Sequence, residues 1–330
     1  MTRVLPKISI ITPSYNQGRF IEETIRSVLA QDYGNLEYIV IDGGSTDNTL
    51  EVIRRYEGQL TFWLSEGDRG QSEAINKGFR RATGDIVTWL NSDDVYLPHT
   101  LRRAVRYFDD PEVALVHGKC ILFGEGIKEE VRGAPERDLE VQYLARVPFP
   151  QPSSFFRRQV LLEQGYLDES LQLMMDYDLL VRVALNYKLR RVEETFSRYR
   201  LHGGCKTLSS PAGHARAAAR VFSKLLRSFG SAETLLTHMR ELGLYVKGDD
   251  RYHVTKCYGE ETLRRAFLYF LESQAHYYYG GLDLEKTKLL TDFVRRYDAD
   301  FYRSLNLGRL FWRSTLLNRS VIKSLRRFTR

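Results

Sequence analysis

Short apolar, β-rich runs alternate with helical periods through the first half of this 330-residue chain. That alternation restricts it to an α/β domain with a mostly parallel sheet. "KISIITPSY" reads as a strand ending near Pro13, followed by a helix from about Gly18 to Gln31. "LEYIVIDGG" is the second strand, with the helix "NTLEVIRRYE" after it and Asp47 as its N-cap. "LTFWLSE" is the third strand, "GQSEAINKGFRRATG" a helix closed by Gly84, and "DIVTWLN" the fourth strand. "VALVHGKCILF" and "RRVEETFSRYRLH" read as later strands, with the helix "DYDLLVRVALNY" between them. Ligands of open parallel sheets sit in the crevice at the carboxyl edge of the strands. Asn16, Asp42, Glu66 and Asp93 all fall at or just past such an edge.

The stretch "WLNSDDVYL", residues 89–97, makes the sharpest chemical demand. Two adjacent carboxylates at the tip of a buried strand repel each other, and packing alone gives no reason for them. Hard oxygen ligands of this kind suit Mg²⁺ or Mn²⁺, which are commonly held by one or two carboxylates plus phosphate oxygens. No G-x-G-x-x-G follows the first strand and no G-x-x-x-x-G-K-[ST] occurs anywhere, so a glycine cradle for phosphate is a poor reading. The pattern instead suits a nucleotide whose phosphates are met through a metal.

Past about Thr207 the texture changes. "GHARAAARVFSKLLRSF", "AETLLTHMRELGL", "EETLRRAFLYFLESQAHYYY" and "LEKTKLLTDFVRRY" carry apolar residues at helical spacing, so the expected division is 1–207 and 208–330. Tyr277–Tyr279 are expected to pack the helix they lie on. The formal charge of +7 resides in the tail, where residues 301–330 hold eight Lys or Arg and no acid. Mixed with Leu, Phe, Trp and Ile, that segment fits an anionic membrane surface, the alternative being a terminal helix with a solvated basic face. The basic residues lie outside the α/β half and no nucleic-acid module is visible, so nucleic acid is not an expected partner. No apolar run approaches the ~18–20 residues of a membrane span. Ser9, Thr12 and Pro13 interrupt the first apolar stretch before a signal peptide could develop. Cys120, Cys205 and Cys257 show no pairing spacing, which favours reduced thiols and a cytoplasmic setting.

The stretch "SIITPSYNQGRFIEETIRSVLAQDYGNLEYIVIDGGSTDNT", followed in order by "SEGDRGQSEAINKGFRRATGDIVTWLNSDD", resembles the opening of a family 2 glycosyltransferase of the GT-A fold. The resemblance continues through "PSSFFRRQVLLEQGYLDESL", "MMDYDLLVRVAL" and "RYRLHGGCKT", covering roughly residues 7–207 and not the helical C-terminal third. It implies a GT-A type, mostly parallel sheet flanked by helices, with a C-terminal α-helical extension. By this resemblance Thr12, Pro13, Ser14 and Tyr15 embrace the nucleotide base and ribose, Asp42 hydrogen-bonds the base, and Asp68 lies close to both. Gly43 stands where the family often has a second acid. Asn91 to Asp94 match the metal-binding D-x-D region, with an amide and a hydroxyl at its first positions. Asp93 would face ribose or metal, Asp94 would ligate the metal, and His202 sits where such enzymes place a late histidine on metal or diphosphate. Asp176 matches the second acid of the family's E-D motif, the general base, while Met175 replaces its glutamate.

The implied chemistry is an inverting displacement. A carboxylate takes the proton of the acceptor hydroxyl as that hydroxyl attacks the anomeric carbon, and a divalent cation (Mn or Mg) steadies the leaving diphosphate. A nucleotide-diphosphate sugar, expected to be UDP-linked, is then the donor. A glycan or lipid-linked molecule of a bacterial surface polysaccharide is the acceptor, with the enzyme on the inner face of the membrane. A nucleotidyltransferase is the runner-up, but "TPSYNQG" lacks the basic residue its first loop needs. A non-catalytic nucleotide-sugar binding or scaffold protein is the third reading, opposed by the retained Asp42, Asp93, Asp94 and Asp176. Asp47 and Asp178 are expected to serve structure, as capping and helix-dipole residues.

Overall fold

A computed structural model describes residues 5–206 and 210–316; of the basic stretch 301–330 expected to contact membrane, residues 317–330 lie outside them. The strands are β1 (Ile8–Ser14), β2 (Leu36–Asp42), β3 (Phe62–Ser65), β4 (Ile86–Trp89), β5 (Val95–Tyr96), β6 (Val113–Phe123), β7 (Glu130–Arg132), β8 (Ser154–Arg157) and β9 (Lys188–Arg200). Between them run α1 (Ile21–Leu29), α2 (Thr49–Tyr56), α3 (Gln71–Arg81), α4 (Thr100–Val105), α5 (Leu139–Ala145), α6 (Arg158–Gln164) and α7 (Met175–Asn186). Six further helices follow among the described residues: α8 (Pro211–Arg227), α9 (Glu233–Glu241), α10 (Glu260–Gly280), α11 (Leu284–Tyr297), α12 (Ala299–Ser304) and α13 (Leu307–Leu316).

The sheet order is β3-β2-β1-β4-β8-β6-β9-β5, with β7 on β6. β1, β2, β3 and β4 pair in parallel, as the alternating pattern demands. Beyond β4 the sheet turns mixed: β8 runs antiparallel to both β4 and β6, while β6 and β9 pair in parallel. Every residue of β1 is buried, Ser9, Thr12 and Ser14 included, as befits a central parallel strand covered on both faces. α1 covers the sheet with Ile21, Thr24, Ile25 and Val28, one helical stripe.

Gly84 does not close α3, which ends at Arg81. A Cβ at Gly84 would lie 2.6 Å from Ser9 Oγ and 2.7 Å from Ser9 N, so the glycine serves the close passage of the chain against β1. Two compact units result: Met1–Glu136 with Pro148–His202, and Arg137–Val147 with Gly203–Arg330. The second unit recruits α5 from the middle of the sequence. Within it, Arg146 pairs with Glu272 and Asp138 accepts from Arg265 and from Tyr269 Oη. Phe222 of α8 stacks flat on Phe270 of α10 at 4.2 Å, and Tyr277 stacks on His214. No helix among the described residues is long and apolar enough to cross a membrane.

Candidate functional site

Parallel register brings the ends of three strands into one row, with Ser14 beside Asp42 and Asp42 beside Ser65. Asp42 is fully buried and folds the loop that follows it. Its Oδ2 accepts from Gly44 N, Ser45 N and Ser65 Oγ at 3.1, 2.9 and 2.7 Å, and its Oδ1 from Ser45 Oγ at 2.5 Å. The carboxylate is thus engaged by the loop that follows it and by the end of β3. Thr12 Oγ1 meets Tyr38 Oη in the core at 3.1 Å, and Pro13 is buried in β1. Ser14 Oγ and Tyr15 are different. The Ser14 hydroxyl is buried with no hydrogen-bond partner among the described residues, and Tyr15 is 60% exposed just beyond it.

Asp47 ties this loop together, accepting from Thr49 N at the start of α2 and from Gly18 N. Asn16, at φ 51°, accepts from Thr46 N while its own N–H donates to Ser45 Oγ. Gly43 has a physical reason. A Cβ there would lie 2.5 Å from Asp68 Oδ2, so the space beside Asp42 is taken by the carboxylate of Asp68. Asp68 is half-buried, and burial, then the nearby Glu73 and Asp42 charges, raise its carboxyl above the usual range despite Gly70 N–H and Lys77.

The acidic loop after β4 separates its two carboxylates. Asp94 is 1% exposed; its Oδ1 accepts from the Arg200 N–H of β9 at 2.9 Å, and Asn91 Nδ2 approaches its Oδ2 at 3.4 Å. Burial, then the neighbouring Asp93, push its carboxyl well above the ordinary value. The Asp94 carbonyl accepts from Thr24 Oγ1 of α1 at 2.7 Å. Asp94 therefore pins β5 and its loop to β9 and α1. Asp93 points the other way, its Oδ2 lying 3.0 Å from His202 Nε2. Arg200 Nε donates to the Asp93 carbonyl at 2.8 Å, and its guanidinium stacks over Phe20 and Phe123. Arg200 escaped the sequence reading, although it lies two residues before His202 in an extended stretch and so shares its face.

No group of three or more His, Cys, Asp or Glu side chains among the described residues is set to hold a metal. Asp93 and His202 nevertheless fit one. The two are hydrogen-bonded to each other at 3.0 Å, and a carboxylate oxygen and an imidazole nitrogen are donor atoms that Mn²⁺ accepts.

Asp176, the second residue of α7, is half-buried, with its Oδ1 accepting from Tyr177 N at 2.9 Å. Met174 before it takes the left-handed conformation, φ 62°. Asp178 is buried and pairs with Arg182, whose guanidinium also holds the Gln164, Gly165 and Tyr166 carbonyls.

Comparisons with known proteins agree with this architecture. Residues 9–166 match the domain model described as glycosyl transferase family 2. An uncharacterized glycosyltransferase of Nostoc sp. is 31% identical over 217 residues, 62% of this chain and 67% of that protein. Another, from Mycobacterium tuberculosis, is 31% identical over 190 residues, 54% of this chain and 70% of that protein. Among solved structures, S. aureus TarS 1–349 in complex with UDP-GlcNAc superposes with a TM-score of 0.57 at 20% identity, covering 93% of this chain and 91% of that one. A Pyrobaculum calidifontis mannosyltransferase in complex with GDP-Man and Mn²⁺ gives 0.53 at 18% identity, covering 94% and 86%. At such identities the likeness is one of fold. Together with the ordered strand-end loops, these matches place the chain in the family 2 glycosyltransferases: it is a glycosyltransferase of the GT-A fold.

Proposed function

We propose that this glycosyltransferase moves a sugar from a UDP-linked donor to a glycan or lipid-linked acceptor, with inversion, in the synthesis of a cell-surface polysaccharide. The meeting of Asp93 with His202, 109 positions apart in sequence, carries the reading. A divalent cation on that pair would supply positive charge to the departing diphosphate. Ser14, Tyr15 and Asp68 line the nucleotide side, Thr12 and Pro13 take part through backbone, and Asp42 and Asp94 hold the two loops in shape. Asp176 takes the proton from the acceptor hydroxyl. TarS and the mannosyltransferase, bound to UDP-GlcNAc and to GDP-Man with Mn²⁺, support the donor class and the cation by analogy of fold. The test is release of UDP from a panel of UDP sugars with and without Mn²⁺ or Mg²⁺. Loss of turnover in Asp93→Ala and Asp176→Asn is expected, and full activity in either would sink that assignment.

Peripheral contact with an anionic membrane through 301–330 belongs to the same proposal. In α13, Arg309, Trp312, Arg313 and Leu316 are exposed on one helical face without an acid among them, and Trp312 is 59% exposed. That composition supports an interfacial setting at the inner face of the membrane.

A further inference from the structure

Three loops that the proposed reaction needs are fastened to one helix, α3. Its first residue, Gln71, donates through Nε2 to Asn91 Oδ1 at 2.7 Å, at the start of the acidic loop. Its Lys77 pairs with Glu66 at 2.9 Å, on the segment that leads to Asp68. Its deepest bonds go elsewhere. The buried Asn76 engages both backbone groups of Leu167: Leu167 N donates to Oδ1 at 3.0 Å and Nδ2 donates to the Leu167 carbonyl at 2.9 Å. The buried Ser72 Oγ donates to the Leu171 carbonyl at 2.9 Å. Residues 167–172 thus lie against α3 as if paired to it, and Asp176 follows Gln172 by four residues.

Glu169 concentrates the charge of this contact. It accepts from Asn76 Nδ2 at 3.0 Å, Arg80 Nη2 at 2.9 Å and Arg69 Nη2 at 2.6 Å. Arg69 also grips Glu73 of α3, and its carbonyl accepts from Gln172 Nε2 at 2.9 Å. Between Asp68 and α3 stands Gly70, at φ 135°, where a Cβ would lie 2.2 Å from Gln172 Oε1. The segment carrying Asp68 and the segment leading to Asp176 therefore share a charged, tightly fitted seam.

We infer that Arg69 and Glu169 are positioning residues: their ion pair sets the base-bearing segment 167–176 against the donor-bearing loop 66–70. This rests on the reading of Asp176 as the base. A displacement of about 1 Å at a reacting group can cost on the order of a hundredfold in rate, so a seam of this kind acts on turnover more than on donor affinity.

The experiment uses the full chain, with Arg69→Ala, Glu169→Gln, the double variant and Asp176→Asn. UDP binding, UDP release from UDP sugars with p-nitrophenyl glycosides as acceptors, and amide exchange are measured on each. The expected result for either single variant is a roughly tenfold fall in kcat with UDP affinity within twofold. The double variant should be no worse than the more damaged single. Amide exchange should quicken across 167–176 and stay unchanged across β4. The inference is overturned if both singles keep kcat within twofold while Asp176→Asn is dead, or if their losses multiply in the double variant. It is equally overturned if kcat, UDP affinity and melting temperature all fall together, which is the mark of a merely structural pair. Arg69 is exposed, so its variant keeps the test open should Glu169→Gln fold poorly. Full transfer by Asp176→Asn would instead remove the base assignment beneath the inference, and the inference with it.

Discussion

At the scale of single residues, the adjacent acids stand in opposite surroundings, Asp94 buried and Asp93 half-buried. Asp93 keeps an oxygen beside His202, while Asp94 spends both of its oxygens on Arg200 N–H and Asn91. Asp94→Ala leaves the part-buried Arg200 N–H without its acceptor, which costs about 1 kcal/mol. It should lower the unfolding midpoint in chemical denaturation. Asp93→Ala should leave that midpoint nearly unchanged and remove cation-dependent UDP binding. The reverse pattern would mean that the assignments are exchanged. Gly43→Ala offers a second residue-scale test, because its methyl must displace the Asp68 carboxylate. UDP affinity should weaken by about tenfold, and a calorimetric titration that finds it unchanged would remove Asp68 from the nucleotide side.

Among the elements, the amino end of β2 carries a charge network unrelated to ligands. Glu37 accepts from Ser9 Oγ at 2.5 Å, Lys7 Nζ at 2.9 Å, Thr83 N at 2.7 Å and Thr83 Oγ1 at 2.8 Å. Burial by itself would raise the carboxyl; the donors from Ser9, Thr83 and Lys7 outweigh it and hold the value at about 2. A group lowered in the folded state binds its proton more readily once unfolded. Its stabilisation is complete above the unfolded value near 4.5 and is lost as pH falls toward 2. Glu37→Gln should therefore lower the denaturation midpoint at pH 7 and have little effect near pH 2; an equal effect at both would contradict the network.

The strands and helices that position the site were legible in sequence because apolar period and strand-end polarity state them locally. β1, β2, α3 and α11 fall within a few residues of their expected limits, and α11 matches "LEKTKLLTDFVRRY" end for end. What was not legible depends on distant partners. β8 inserts between β4 and β6, and α5 joins a unit otherwise built from residues after 202. Gly43 reads as a lost acid until Asp68 is seen filling its space. The burial of Asp42 and Asp94 follows from donors contributed by Ser65 and Arg200, which no local pattern reveals.

On the scale of the whole molecule, the proposed site lies in the α/β unit and α13 in the helical unit. If the basic and aromatic face of α13 meets anionic lipid, full-length protein should co-sediment with vesicles containing phosphatidylserine and not with neutral ones. Trp312→Ala should weaken that binding several-fold, and salt should weaken it further. Sedimentation indifferent to lipid charge would rule out this surface. The central claim concerns the other unit, where we propose that Asp93 and His202 hold a divalent cation together with donor phosphate. Manganese binding followed by electron paramagnetic resonance, with and without UDP, tests it most directly. The account predicts weak binding of Mn²⁺ alone, binding at least tenfold tighter with UDP, and loss of that gain in Asp93→Ala and in His202→Ala. Mn²⁺ affinity indifferent to UDP, or unchanged in both variants, would contradict it.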